Sequence, residues 1–326
     1  MVRCTVYGAL LCAFTAGGVE PGLPSKTSIL TTILRAIGAQ SPDPQLRNPD
    51  YLAIQFLGQR ERAVLPDFPM DALDLNFKSS IQRLSAEDRV SVTTMFIRTK
   101  FFDSALDEAL RNKNRQVIIL GAGFDSRGYR FADRLRNVRF LEVDYGPTQE
   151  YKKQRVKEIL RTLPKHLRYV PMDFTKDDLL TQLRSAGYSE IQKSLFIWEG
   201  VTQYIPEASV RSTLDFVRDH SASGSTIVFD YSLSSDSRIN NPNTRFAAWG
   251  EPWIFGFPGR SAGQYVRRNG LTVVTDISMG DLETEYTHGR SETSILPSLP
   301  AENRARRICM ARVPARSDES LGRAIE

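Results

Sequence analysis

The 326-residue sequence predicts an α/β fold built on a largely parallel sheet of seven strands. From residue 115 onward, short apolar or β-branched runs alternate with stretches of helical character. Most of these runs end in Gly, Asp or Glu, and Pro147 and Pro206 stand where helices are expected to begin. Such alternation is typical of a parallel sheet with helices on both faces.

Seven runs are predicted to be strands: 116–123, 138–145, 168–174, 194–200, 225–232, 270–279 and 306–313. The last two follow a long interruption, so we expect them to pair differently from the others, with one antiparallel member. The predicted domain organisation has four parts besides an N-terminal extension: a helical cap over 25–110 with a break at 41–50, a core over 111–315, an irregular insertion over 233–262 and a tail over 316–326. An insertion of this length within a compact domain is often a lid or a binding loop.

The first 24 residues combine one arginine, a small apolar run and small residues. Two interpretations fit this pattern, a signal-like segment and a simple extension of a cytoplasmic protein. We favour the extension, and we predict a cytoplasmic location, because the cofactor inferred below is made and used inside cells.

Composition excludes several classes of function. The net charge of +5 is dispersed, and no nucleic-acid-binding module is recognisable. No apolar run reaches the roughly 18 residues of a membrane span, so we expect neither a nucleic-acid partner nor a membrane partner. The three cysteines form no CxxC pair and the three histidines are far apart, so neither a metal site nor a Ser-His-Asp triad is expected.

The stretch VIILGAGFDSRGYR places a glycine turn after the first predicted strand. Gly121 and Gly123 allow a ligand to approach the backbone closely. The turn lacks the lysine of a P-loop, and Ser126 occupies the third position of a dinucleotide fingerprint. Asp125 would repel a pyrophosphate, which argues against an NAD-linked dehydrogenase. The turn therefore favours a ligand with little or no phosphate, although a GxG turn alone is a weak signal.

Acidic residues at the ends of the next strands extend this inference. Asp144 lies 23 residues after Gly121, where an acid can accept hydrogen bonds from ribose hydroxyls. Asp173 and Phe174 can hold and cover an adenine ring. Ribose and adenine without phosphate indicate S-adenosylmethionine. Arg98 is the candidate partner of its carboxylate, and the alternative for Arg98 is a surface position on an amphipathic helix.

Six sequence blocks together resemble the leucine carboxyl methyltransferase family: RTKFFD, VIILGAGFDSRGYRF, LEVDY, PMDF, WEGVTQYIP and WGEPWIFGFP. The resemblance covers roughly residues 25–315 and implies a Rossmann-like class I methyltransferase fold and S-adenosylmethionine-dependent O-methylation. The family includes the enzyme that methylates the C-terminal leucine of a phosphatase catalytic subunit. It also includes microbial enzymes that methylate small molecules, some of them polyketide carboxylates. The PDPQLRNPDYLAIQFLG stretch and the insertion look like that microbial branch.

The resemblance also implies roles for individual residues. Arg98 would bind the methionine carboxylate, and Asp144 the ribose. Glu199 would face the methionine amino group or the sulfonium side. Asp125 would help to form the turn, or would cap the helix that follows it. The remaining implied cofactor contacts are Gly121 and Gly123 at the methionine moiety, and Asp173 and Phe174 at the adenine.

A small-molecule acceptor is expected in a pocket beside the cofactor. A carboxylate acceptor needs no base, because it is ionised at neutral pH, whereas a phenol needs one. The scarcity of histidine favours a carboxylate, and a hydroxyl acceptor stays open. Tyr204 and Arg127 are the candidate catalytic residues. Five aromatic residues are candidates for acceptor binding, with a satellite core or helix-start packing as the alternative: Tyr204, Phe246, Trp249, Trp253 and Phe255.

An acidic acceptor would require a cation, and the sequence does not choose among Arg127, Arg130, Arg245 and Arg260. Two alternative functions are carried forward. One is carboxyl methylation of a protein C-terminal leucine, and the other is a cofactor-binding module without catalytic activity. The oligomeric state is not predicted.

Overall fold

The structure, a computed structural model, describes residues 24–172, 177–287 and 295–315. It contains the predicted sheet of seven strands: β1 (Gln116–Leu120), β2 (Arg139–Asp144), β3 (Leu167–Pro171), β4 (Ser194–Trp198), β5 (Thr226–Tyr231), β6 (Thr272–Ser278) and β7 (Arg307–Arg312). The predicted N-terminal extension and tail lie outside the described residues, except for Pro24. Each strand falls within one residue of its predicted range, and most are shorter because the predicted ranges included the turn residues that follow.

The strand order is β3-β2-β1-β4-β5-β7-β6. Strands β1 to β5 are parallel, and β7 runs antiparallel to both β5 and β6. The prediction of one antiparallel member is therefore confirmed. The order reverses direction between β1 and β4, and such a switch point is where open α/β sheets bind ligands.

Twelve α-helices occur in the described residues: α1 (Lys26–Gly38), α2 (Gln59–Val64), α3 (Phe77–Arg83), α4 (Ala86–Arg111), α5 (Arg127–Arg130), α6 (Gly146–Leu160), α7 (Leu179–Ser185), α8 (Glu207–Asp219), α9 (Arg245–Ala248), α10 (Gly263–Arg268), α11 (Met279–Tyr286) and α12 (Ala301–Arg304). Pro147 stands in the first turn of α6, and Pro206 is the N-cap of α8. Among the described residues, no helix has both the length and the apolar character that a membrane span requires.

Helices cover both faces of the sheet, and alternate strand residues point to different cores. Val117 and Ile119 of β1 belong to one core, which includes residues of α1, α4 and α11. Ile118 and Leu120 belong to a second core, with residues of α7, α8 and α10. The two-residue repeat of a strand places successive side chains on opposite faces. β1, which is apolar from Val117 to Leu120, is therefore buried on both sides.

The region 25–110 contains helices α1 to α4 and two short 3-10 helices, Ala53–Phe56 and Met70–Asp74. The longest of these, α4, starts at a capping arrangement in which Ser85 Oγ accepts the amide of Asp88 at 3.1 Å. Glu87 and Asp88 in its first turn and Arg111 in its last complement the helix dipole. Helix α4 packs against α1 and carries Arg98 to the carboxyl ends of β4 and β5.

The insertion over 233–262 is irregular apart from α9. Its two ends are joined, since Leu233 and Phe257 form an isolated bridge and the Ser234 amide donates to Phe257 O at 2.8 Å. Its middle reaches the N-terminus of α1, where Glu251 accepts the amides of Lys26 at 2.8 Å and Thr27 at 3.0 Å. The insertion and the N-terminal cap therefore meet above the ends of the central strands.

Candidate active site

A cavity of about 580 Å³ lies at the carboxyl ends of β1, β2 and β4. This volume is in the range of small-molecule sites, and the position is where open α/β sheets bind ligands. One end is formed by segments that follow the strands: the glycine turn (Gly121–Asp125), Asp144 with Tyr145, and Glu199 with Gly200. We call this the turn end. The other end, the insertion end, is formed by α1, α4, the insertion, α12 and Arg306, which immediately precedes β7.

The glycine turn has the backbone that the sequence predicted. Gly121 and Gly123 have φ values of +73° and +40°, in a backbone region that residues other than glycine rarely adopt. A Cβ at Gly121 would stand 2.8 Å from Val201 Cγ2, and one at Gly123 would stand 3.0 Å from Ser28 Oγ. The amides of Gly121 and Ala122 both donate to Val143 O, which ties the turn to β2.

Asp125 stabilises the turn from within. Its Oδ1 accepts the amide of Arg127, the first residue of α5, at 2.7 Å, and its Oδ2 accepts Arg127 Nη1 at 2.5 Å. The first contact is the helix-capping role that the sequence left open for Asp125. Asp125 also lines the cavity. Its negative charge would therefore repel a pyrophosphate bound at the turn.

Asp144 ends β2 and lines the cavity, as predicted for a ribose-binding acid. Its Oδ2 accepts the Gly123 amide at 2.5 Å, and its Oδ1 accepts the Tyr145 amide at 2.7 Å. Burial raises the pKa of this carboxyl, and the two amide donors act against that increase. Each oxygen retains a further lone pair, so the carboxylate can accept hydroxyl hydrogens while it holds the turn.

Arg98 and Glu199 form a buried ion pair at the wall of the cavity. Arg98 Nε donates to Glu199 Oε1 at 2.8 Å, and Arg98 Nη1 lies 3.4 Å from Asp230 Oδ2. Arg98 is 5% exposed, so the alternative of a surface arginine is wrong. Burial would raise the pKa of Glu199, but Arg127 and Arg98 outweigh it and lower that pKa to about 2. Glu199 is therefore ionised and available to an ammonium group.

Arg127, a candidate catalytic residue, lies behind the turn and outside the cavity lining. Its guanidinium contacts Asp103 at 2.9 Å, Asp125 at 2.5 Å and Glu199 at 2.7 Å. Three carboxylates occupy its donors, so Arg127 positions the turn and Glu199 and does not reach a substrate. This corrects the expectation for Arg127.

The same ion pairs extend into a continuous network that we call the charge chain. It comprises five arginines and five carboxylates around the site. They are Arg35, Arg98, Arg127, Arg130 and Arg306, with Asp50, Asp103, Asp125, Glu199 and Asp230. Each of these ten side chains is at most 11% exposed. The equal numbers of opposite charges allow this burial, since an unpaired buried charge is costly.

Three of the five aromatic residues predicted to bind the acceptor line the insertion end: Tyr204, Phe246 and Trp253. The rings of Phe246 and Trp253 are stacked, with centroids 5.4 Å apart, and Tyr204 meets Trp253 edge-on at 6.3 Å. Trp253 is only 3% exposed and Tyr204 8%, so these two rings offer little surface to a ligand.

Trp249 and Phe255 do not line the cavity, which corrects two further expectations. Phe255 packs against Phe257 and Tyr265 in the core on one face of the sheet. Trp249 ends α9 and packs edge-on against Phe246. Both follow the satellite-core alternative that the sequence left open.

Four arginines were candidates for the cation that binds an acidic acceptor. Arg127 lies behind the turn, and the other three differ in whether they line the cavity. Arg130 is held in the charge chain by Asp103, and Arg260 is exposed and away from the cavity. Arg245 does line the insertion end, where it pairs with Asp88 at 2.6 Å. Asp173 and Phe174, the predicted adenine contacts, lie outside the described residues.

Sequence reasoning missed several residues of the insertion end. Arg238 and Arg306 line it, and their guanidinium carbons lie 4.5 Å and 5.2 Å from the Trp253 ring centroid. Asp230 at the end of β5 holds both Arg98 and Arg306. The signal for Asp230 was present, because it is an acid at a strand end, like Asp144 and Glu199. No sequence signal marked Arg306.

A sequence model of leucine carboxyl methyltransferases matches residues 28–218, more than half of the chain. The chain belongs to the leucine carboxyl methyltransferase family. A Bacillus subtilis relative, provisionally named an S-adenosyl-L-methionine-dependent methyltransferase, is 26% identical over 285 residues, covering 82% of this chain and 93% of the relative. A Frankia alni relative with the same provisional description is 31% identical over 210 residues, covering 64% of this chain and 69% of the relative.

A solved structure supports the fold assignment. A DUF574 family protein from Streptomyces avermitilis has a TM-score of 0.51 at 15% identity, covering 76% of this chain and 91% of that one. These comparisons confirm the class I methyltransferase fold, the family and the predicted cofactor, S-adenosylmethionine. The part of the chain that matches the leucine carboxyl methyltransferase family includes the turn end but excludes the insertion and Arg306.

Proposed function

We propose that this protein is an O-methyltransferase that transfers the methyl group of S-adenosylmethionine to the carboxylate of a small organic acid. The observation that supports it best is one cavity that runs from the glycine turn to an insertion end with both apolar rings and arginines. A cofactor at the turn end would then face an acceptor at the insertion end.

The residues at the turn end fit the cofactor. The left-handed glycines keep the backbone bare of side chains, and Asp144 offers acceptors for ribose hydroxyls. Arg98 offers donors for a carboxylate, and the ionised Glu199 beside it offers acceptors for an ammonium group. A zwitterionic amino acid end matches this adjacent pair of opposite charges.

When bound, S-adenosylmethionine supplies an electrophilic methyl group on a positively charged sulfur. The chain then has to align the nucleophile and exclude water. The contact of Glu251 with the first amides of α1 holds the insertion over the cavity, which limits solvent access. Arg98, Glu199 and Asp144 fix the position of the methyl donor through the charge chain and the turn.

The cavity favours a carboxylate acceptor over a phenol. Among the described residues that line it there is no histidine, and of its carboxylates at the insertion end Glu251 is occupied by two amides. The other two, Glu87 and Glu302, are exposed. A phenol needs a positioned base, whereas a carboxylate is already ionised.

The first experiment measures methyl transfer from labelled S-adenosylmethionine to benzoate, salicylate and octanoate, to benzyl alcohol and phenol, and to a peptide ending in leucine. We expect labelled methyl esters, which alkaline hydrolysis releases as methanol. Transfer to the peptide alone would support the protein-directed alternative. Cofactor binding without any transfer would support a non-catalytic module.

A matched pair of variants tests the cofactor site by calorimetry. Asp144→Asn keeps the size of the side chain but removes its charge, and Asp133→Asn makes the same change at a side chain that is 92% exposed. We expect Asp144→Asn to weaken S-adenosylmethionine binding by roughly 10- to 100-fold, since a hydrogen bond to a charged group contributes about 1.5–3 kcal/mol. Equal affinities in the two variants would contradict the assignment of Asp144.

A further inference from the structure

Arg306 stands apart from the other buried arginines of the site. It immediately precedes β7, is 6% exposed, and lines the insertion end of the cavity. Arg98 and Arg127 contact two and three carboxylates respectively, and Arg130 contacts two. Arg35 contacts one, Asp50 at 3.0 Å, and its Nη2 also donates to Phe124 O at 3.0 Å. Arg306 contacts one as well, through Nη2 and Asp230 Oδ2 at 3.1 Å.

That single partner is shared. Arg98 Nη1 approaches the same Oδ2 atom at 3.4 Å, and the Gly200 amide donates to Asp230 Oδ1 at 2.6 Å. The Nε of Arg306 is buried and has no hydrogen-bond partner among the described residues. Burial, together with the neighbouring charges of Arg238 and Arg98, lowers the pKa of Arg306 to about 10, although Asp230 acts in the other direction. Arg306 therefore has fewer carboxylate partners than Arg98, Arg127 and Arg130, and it shares its one partner with Arg98.

We propose that Arg306 binds the carboxylate of the acceptor, and this proposal rests on the proposed function. The planar guanidinium is held between its bond to Asp230 and its contact with Trp253 at 5.2 Å. Such a fixed fork suits two-point binding of a carboxylate better than the flexible, single-point ammonium of a lysine.

The charges of the occupied site agree with this assignment. The charge chain is neutral, with five charges of each sign. The bound cofactor carries one net positive charge at neutral pH, on sulfur. An acceptor carboxylate beside the sulfonium places opposite charges next to each other, whereas a neutral acceptor does not.

The transfer step then balances without a base. The bond from methyl carbon to sulfur breaks as the bond from methyl carbon to a carboxylate oxygen forms, and sulfur keeps the electron pair of the broken bond. The products are a neutral methyl ester and a neutral thioether, and no proton is released. Arg306 holds the carboxylate before transfer and loses its ionic partner afterwards, which favours release of the ester.

The test compares Arg306→Gln and Arg306→Lys with Arg304→Gln as the matched control. Arg304 lies two residues away, pairs with Glu283 outside the cavity lining and is partly exposed. The assays are the KM for benzoate and octanoate, the affinity for S-adenosylmethionine by calorimetry, and the thermal transition of each variant.

We expect Arg306→Gln to raise the KM for the carboxylates roughly 10- to 100-fold, while cofactor affinity stays within about twofold. Arg306→Lys should recover part of the loss, because it keeps the charge without the fork. If Arg306→Gln does not fold, Arg306→Lys carries the test, since it still compensates Asp230.

Two results from the Arg306 variants would overturn the proposal. One is an unchanged KM for the acids in the Arg306 variants. The other is a loss of cofactor affinity with no change in that KM, which would assign Arg306 to the methionine carboxylate. Transfer by the intact protein to alcohols or phenols but to no acid would also overturn it and would leave methyltransferase activity standing. An intact protein that neither binds the cofactor nor transfers methyl would instead contradict the proposed function itself.

Discussion

Replacing Gly121 with alanine is predicted to destabilise the fold through two separable effects. The φ of +73° costs a residue with a Cβ about 1–2 kcal/mol. The new Cβ would stand 2.8 Å from Val201 Cγ2, and overpacking of this kind costs about 1–3 kcal/mol. We therefore expect Gly121→Ala to lower the free energy of unfolding by about 2–5 kcal/mol.

Two other changes separate the effects. Gly259 also has a left-handed φ, +80°, but a Cβ there would meet no atom within 4 Å. Gly259→Ala therefore reports the backbone cost alone. The Val201→Ala variant, alone and combined with Gly121→Ala, completes a double-mutant cycle that reports the steric cost.

Urea denaturation of the four proteins of the cycle and of Gly259→Ala provides the measurement. We expect Val201→Ala to recover about 1–3 kcal/mol of the loss in Gly121→Ala, and the remainder to match Gly259→Ala. A coupling energy near zero, or a loss in Gly121→Ala no larger than in Gly259→Ala, would refute the steric part of the reasoning. A loss below about 0.5 kcal/mol would refute both parts.

Three further predictions concern charged groups. Arg98→Gln should weaken S-adenosylmethionine binding at least about tenfold in a calorimetric titration, and unchanged affinity would remove Arg98 from the cofactor site. Glu251→Gln should lower the free energy of unfolding by about 1 kcal/mol because it weakens the cap of α1, and Glu158→Gln at an exposed site should not. Burial raises the pKa of Glu142 to about 7 despite its pair with Lys152. The folded state therefore holds a proton that the unfolded state releases near pH 4.5, so the contribution of Glu142 to stability is fully present below pH 4.5 and is lost as pH rises toward 7. In urea denaturation across this range, Glu142→Gln should show a flatter profile, and an equally steep profile would contradict the assignment.

The sheet could be predicted because its signals are local. After Gln116, the first strand reads VIIL, which is apolar at every position, and a strand covered on both faces buries such a run completely. The glycine turn and the acids at strand ends follow from the same local logic. Asp144 and Glu199 line the cavity as expected, because the carboxyl end of a parallel strand fixes the position of the residue that ends or follows it.

The insertion end could not be predicted in this way. Within the aromatic cluster, Phe246 and Trp253 line the cavity while Trp249 and Phe255 pack elsewhere, and no repeat in the sequence distinguishes them. The arginines were equally ambiguous. Arg127 lies next to the turn in sequence but behind it in space, whereas Arg306 is remote in sequence and enters the cavity because β7 inserts between β5 and β6.

The contact between Glu251 and the start of α1 joins residues that are far apart in the sequence, so it forms late during synthesis. Glu251 follows Gly123 by 128 residues, so at ribosomal rates the glycine turn emerges about 6 to 25 s before the side chain that closes the cavity above it. β7, with Arg306 before it, is translated later still. The residues of the turn end are therefore synthesised before the residues that the insertion and Arg306 contribute to the insertion end.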